Sequence, residues 1–125
     1  MPRKKKKSPT ELLEDSITEA MLDKKAKEPI VISFAKIKNT ICDLFILCHG
    51  TSRPHAEAIA EGVIIAAKKQ TGQLPLHREG FENAEWILID YGDIIVHIFQ
   101  ESTRKFFNLE QLWADADIRM VHSDE

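Results

Sequence analysis

Two periodicities divide the chain. Leu13, Ile17, Ala20 and Met21 recur at helical spacing beside Leu12, which gives one apolar face to a first segment. Ser8-Pro9-Thr10-Glu11 opens it as a helix start, with Ser8 as cap, Pro9 at the first helical position and Glu11 completing a capping box. Pro29 marks a break. Ile30 to Phe34 then reads as a first strand and Cys42 to Cys48 as a second, whose nearly continuous apolar run predicts burial on both faces. Gly50-Thr51-Ser52-Arg53-Pro54 turns strand into helix, with Thr51 or Ser52 as cap. Ala56, Ile59, Ala60, Val63, Ala66 and Ala67 form the inner side of that helix, Gly62 inside it suggests a close packing contact, and Gly72 is its natural stop. Leu74-Pro75-Leu76-His77 reads as a sheet edge because of its proline.

The strongest signal is Ala84 to Phe99. Two runs rich in Ile and Val flank Asp90-Tyr91-Gly92-Asp93, where Asp can bond its own backbone and Gly92 can take positive φ, so the stretch predicts a β-hairpin. Alternation puts Glu85, Ile87, Ile89 and Tyr91 on one face and Trp86, Leu88 and Asp90 on the other. In the second run Ile94, Val96 and Ile98 oppose Ile95, His97 and Phe99. Both faces are apolar, and one must receive the helices. A short helix around Thr103 to Trp113 and an acidic, loosely held tail over 114–125 complete the reading. The expected fold is a small α/β domain, bordering on α+β, with a mixed sheet flanked by helices.

At 125 residues the chain is one domain, spanning 8–113 between a disordered basic arm at 1–7 and the tail. With 43% hydrophobic and 30% charged residues it has the composition of an ordinary soluble protein. It holds no apolar run of the roughly 20 residues a bilayer demands and nothing like a signal peptide, so a cytoplasmic protein without membrane contact is expected. Charge adds an asymmetry. Five of the 17 basic residues fall within Arg3 to Lys7, leaving 12 against all 20 acidic groups in the rest of the chain, a net of −8. An acidic body favours a basic protein partner, while the arm could touch the phosphates of ribosomal RNA or remain a solvated tail. Cys42 and Cys48, on one strand, would share a face about 20 Å apart, too far for a disulfide.

Catalytic arrays are weak. Asp90 and Asp93 straddle a turn, Asp43 lies at the far end of a strand, and no metal-binding carboxylate set emerges. Cys48, His49 and His55 lack a fourth ligand, and strand neighbours face opposite sides, so core or surface histidines are the better reading. Gly50-Thr51-Ser52 resembles the phosphate-holding turn of nucleotidyltransferases but is better explained by capping. Trp86 and Tyr91 are residue types that dominate protein–protein hot spots; on physics alone Trp86 reads as core.

The hairpin stretch, together with Asp43 to Ser52 and Phe106-Phe107-Asn108-Leu109-Glu110-Gln111-Leu112-Trp113, closely resembles the signature of the ribosomal silencing factor family (RsfS, or Iojap). Leu44 and Phe107 stand where many relatives carry Tyr, and Pro54 is less typical. The resemblance implies a nucleotidyltransferase-like fold without enzymatic activity, cofactor or metal. It implies binding to the large ribosomal subunit through ribosomal protein L-fourteen, a steric block to the small subunit, and hence repression of translation. It makes Trp86, Leu88, Asp90 and Tyr91 the expected interface, and a homodimer compatible with the apolar face. A nucleotidyltransferase-like enzyme and a large-subunit assembly factor are the alternatives.

Overall fold

A computed structural model describes residues 6–37, 40 and 42–122. The elements run α1 (Pro9–Asp23), β1 (Lys27–Ser33), β2 (Leu44–Gly50), α2 (Arg53–Thr71), β3 (His77–Glu79), β4 (Trp86–Asp90), β5 (Ile94–Gln100), α3 (Glu101–Phe107), α4 (Leu109–Leu112) and β6 (Asp117–Met120). They build a mixed α/β fold on one six-stranded sheet ordered β3-β4-β5-β2-β1-β6, in which β2 and β5 alone run parallel. Among the described residues no helix is long and apolar enough to cross a membrane.

Local chemistry sets the boundaries. Ser8 accepts from the Glu11 amide while the Glu11 carboxylate accepts from the Ser8 amide, the reciprocal cap that the sequence signals. Of the two candidate caps on α2, Ser52 takes the role, accepting from the His55 amide, and Gly72 ends that helix in the left-handed region. At Gly62 a side chain would run into Lys24, the close contact expected there. Pro29 interrupts less than expected: β1 begins at Lys27, and the proline sits at a register shift between Lys27 and Ile30, where a strand tolerates a missing N–H. The helix expected over Thr103 to Trp113 is two short ones, because Asn108 adopts φ 44° and breaks the run.

Strict alternation sorts the strands into two cores. Val31, Ile46, Cys48, Ile87, Ile89, Ile94, Val96 and Ile98 face α1 and α2. Ile30, Ile32, Phe45, Leu47, Ile95 and Phe99 face the other side, where α4 brings Leu109 and Trp113. The cysteines fall on opposite sides, Cys48 with the helices and Cys42 with the second cluster, since Cys42 precedes β2 and strand parity does not reach it. Both thiols are buried and free.

The C-terminal segment corrects the tail reading over 114–125. Asp117–Met120 is strand β6, antiparallel to β1 with Ile32 opposite Ile118, and Arg119 pairs with Glu14 of α1. Asp117-Ile118-Arg119-Met120 alternates polar and apolar residues, a strand signal four residues long; all four side chains are exposed, and the free edge of β1 supplies the order. Of the basic arm, residues 1–5 lie outside the described residues. Lys7 is exposed and pairs with Asp15.

Candidate functional site

On the face away from α1 and α2, α4 shields the β1–β2–β5 region and leaves β4 half-covered. Trp86 and Leu88 are partly buried there, side by side along β4. Cross-strand pairing sets Trp86 opposite Phe99 and Leu88 opposite His97. The Trp86 ring lies 5.0 Å from Phe99 and 4.8 Å from Phe107 of α3, and Phe107 meets Phe106 edge-on at 5.0 Å. Phe106 is 81% exposed and Phe107 48%, large for aromatic rings with nothing over them. A hollow of about 390 Å³ lined by Glu79, Gly80, Trp86 and Leu88 adjoins the aromatic strip. Gly80 lies close against β4: at φ 86° a Cβ would stand 2.0 Å from the Trp86 carbonyl oxygen, so only glycine fits there.

The four residues expected at the interface separate. Trp86 and Leu88 share the face. Asp90 lies on the same side but is committed to the hairpin turn, its carboxylate accepting from the Gly92 amide at 2.7 Å. Tyr91 corrects the expectation. It is 7% exposed in the core under the helices, and its hydroxyl has no hydrogen-bond partner among the described residues. Parity is the cause: Tyr91 continues the Ile87–Ile89 row, which receives α1 and α2. Phe106 and Phe107 are surface residues that site reasoning missed. Their place inside the signature stretch was the available signal.

Beneath the strip lies His97, 4% exposed. Its Nδ1 accepts from the Trp86 indole N–H at 3.0 Å, and its ring packs 4.4 Å from Phe45 and stacks against Phe99. The proton of the neutral ring is therefore on Nε2, which is buried without a partner among the described residues. Burial pushes the His97 pKa down to about 4.

A second polar feature closes the carboxyl ends of the parallel pair. Arg104, buried on α3, donates from Nη1 to His49 Nδ1 at 3.0 Å and to the Lys27 carbonyl at 3.2 Å, and from Nη2 to Glu110 at 3.4 Å. Burial and then the guanidinium hold His49 below its ordinary pKa. A cleft of about 620 Å³ opens beside it. Because Nδ1 accepts from an arginine, His49 carries its proton on Nε2 and offers no lone pair to a metal there. His55 is equally committed: Nδ1 accepts from the Thr51 amide and Nε2 contacts the Lys24 carbonyl at 2.8 Å. Cys48 is fully buried in the core under the helices, and His49 and His55 are held by separate partners, so Cys48, His49 and His55 do not act as one site. Among the described residues no three His, Cys, Asp or Glu side chains converge in a metal-binding group, Asp43, Asp90 and Asp93 included. Instead the Asp93 carbonyl receives the amides of Asp43 and Leu44, tying the hairpin to the start of β2.

Sheet and surface together define a small open-sheet α/β protein that presents an aromatic face beside a short helix. The chain belongs to the ribosomal silencing factor family: residues 6–125 match the family described as "Ribosomal silencing factor during starvation". A ribosomal silencing factor of Halalkalibacterium halodurans is 40% identical over 106 residues, covering 85% of this chain and 88% of that one. A Chromobacterium violaceum protein of known crystal structure superposes with a TM-score of 0.78 at 26% identity, covering 94% of this chain and 95% of its own. A mouse protein named for mitochondrial assembly of the ribosomal large subunit is 29% identical over 73 residues, 57% of this chain and 32% of the mouse protein.

Proposed function

We propose that the protein binds the large ribosomal subunit in the cytoplasm through ribosomal protein L-fourteen. Seated there, it blocks the small subunit sterically and so represses translation. One observation carries the reading: Trp86 and Leu88, half-buried on β4, run on into the exposed rings of Phe107 and Phe106 as one apolar strip on a member of a ribosome-silencing family. Rigid aromatic groups of this kind concentrate binding energy. The net acidic charge of the chain outside its basic arm suits a basic ribosomal partner. The proposed action is binding, without catalysis, in keeping with the regulatory name of the relatives.

Sedimentation with separated subunits tests it. The protein is expected to travel with large subunits and to slow their joining to small ones. Trp86→Ala should weaken binding by about 2 kcal/mol, on the order of thirtyfold. Because Trp86 is half-buried the variant should also lose stability, so melts by circular dichroism must show it folded at the assay temperature. A folded wild type that neither sediments with large subunits nor slows joining would refute the proposal.

The mouse relative favours a second reading on the same surface, a role in large-subunit assembly. Accumulation of immature large subunits on depletion, with subunit joining unaffected, would select it. A second copy of this chain is a competing occupant of the face, and light scattering with and without Trp86→Ala detects it.

A further inference from the structure

The aromatic strip presents Trp86 in one orientation, and packing alone does not account for it. Trp86 sits on β4 next to the hollow, with one side of its ring toward solvent. Phe99 and Phe107 contact its ring, but apolar contacts permit sliding and flipping. The directional contact is the bond from the indole N–H to His97 Nδ1, at 3.0 Å. It runs diagonally across the hairpin, from the partner of Phe99 to the partner of Leu88. His97 itself is closely packed. Phe45 stands at 4.4 Å in an edge contact, Phe99 stacks within 10° of parallel, and only 4% of the residue meets solvent.

His97 is an odd choice for a merely structural position. Its row on β5 is otherwise Ile95 and Phe99, and its Nε2–H is left without an acceptor among the described residues. A buried donor left without an acceptor is destabilising. A phenylalanine would fill similar space without that cost. What phenylalanine lacks is the acceptor for Trp86.

We propose that His97 is a positioning residue for partner binding: buried beneath the surface and touching no partner, it latches the Trp86 indole in the orientation in which the aromatic strip docks. The inference rests on the reading that this strip is the ribosome-binding surface. Its physical content is preorganisation. A ring held before encounter need not be ordered during it, which is worth about fivefold to tenfold in affinity.

Three variants separate the latch from general stability. His97→Phe removes the acceptor and the orphan donor while keeping an aromatic ring. His97→Asn keeps an acceptor oxygen near the Nδ1 position but leaves space behind it. Trp86→Phe removes the indole donor. Each is assayed for unfolding by urea and for sedimentation with purified large subunits, and the wild type and the two His97 variants also for solvent exchange of the Trp86 indole proton by NMR. His97→Phe should match or exceed the wild type in stability, yet exchange its indole proton fast and bind about five- to tenfold more weakly. His97→Asn should be less stable yet keep slow exchange and tighter binding than His97→Phe. On a Trp86→Phe background, His97→Phe should change affinity no further. Equal affinity of the wild type and a folded His97→Phe overturns the latch while leaving the ribosome reading intact. Affinity that merely follows stability across the series also overturns it. A wild type that fails to bind large subunits overturns the partner assignment, and the latch with it.

Discussion

At the scale of single residues, the two sides of β4 and the hairpin turn hold polar groups of opposite use. Tyr91 buries a hydroxyl that bonds to nothing among the described residues, and burial raises its pKa to about 12. Tyr91→Phe should therefore leave stability unchanged or raise it by about 1 kcal/mol, with ribosome binding unaltered; paired urea melts and sedimentation check both. His97 gives a pH prediction. Its pKa is about 4 when folded, against the ordinary 6.5, so between those values the unfolded chain binds the extra proton. The contribution of His97 is complete above pH 6.5 and is lost as pH falls from there toward 4, by about 3 kcal/mol in all. His49, lowered by burial and Arg104, acts in the same direction. Urea unfolding at a series of pH values should show this slope in the wild type and a clearly flatter one in His97→Phe.

At the scale of elements, what positions the strip is the β3–β4 connection and the break between α3 and α4. Gly80 lets the connection pass directly against the Trp86 carbonyl. A Cβ there meets backbone, which cannot rotate away, and the φ of 86° adds strain. Gly80→Ala should cost roughly 3 kcal/mol of stability and shift the start of β4, visible as weakened large-subunit binding even where the variant remains folded. The break at Asn108 matters for another reason. Its left-handed φ turns the chain so that α4 delivers Leu109 and Trp113 to the second core while Phe106 and Phe107 stay outside. A single continuous helix over the same residues, as periodicity suggests, would present a different set of side chains.

At the scale of the whole molecule, charge separates arm from body. If Arg3 to Lys7 contact ribosomal phosphates, deletion of residues 1–7 should leave the melting temperature near that of the full chain and reduce the salt dependence of large-subunit binding. An unchanged slope of log affinity against log salt would mark the arm as solvated only. α1 begins at Pro9, and its cap at Ser8 survives the deletion, so the fold should not depend on these residues.

Sequence alone determined the features that depend on near neighbours. The Ser8–Glu11 capping box, a cap for α2 at Thr51 or Ser52 and its stop at Gly72, the hairpin around Gly92 and the two-faced alternation of Trp86–Leu88 against Ile87–Ile89 were all legible, since each rests on residues a few positions apart. The mixed α/β class followed from their order. Tertiary structure decided what depends on a distant surface. It assigned the Tyr91 row to the helices and left the Trp86 row half-open, a choice the pattern could not make because both rows are apolar. It recruited β6 from an exposed segment because β1 had an unpaired edge to offer. It brought Arg104 to His49 across 55 positions, and it set a buried histidine beneath Trp86, which physics alone had read as core and the family resemblance as interface. In each case burial and hydrogen bonding are properties of the neighbour, and no local pattern encodes which neighbour arrives.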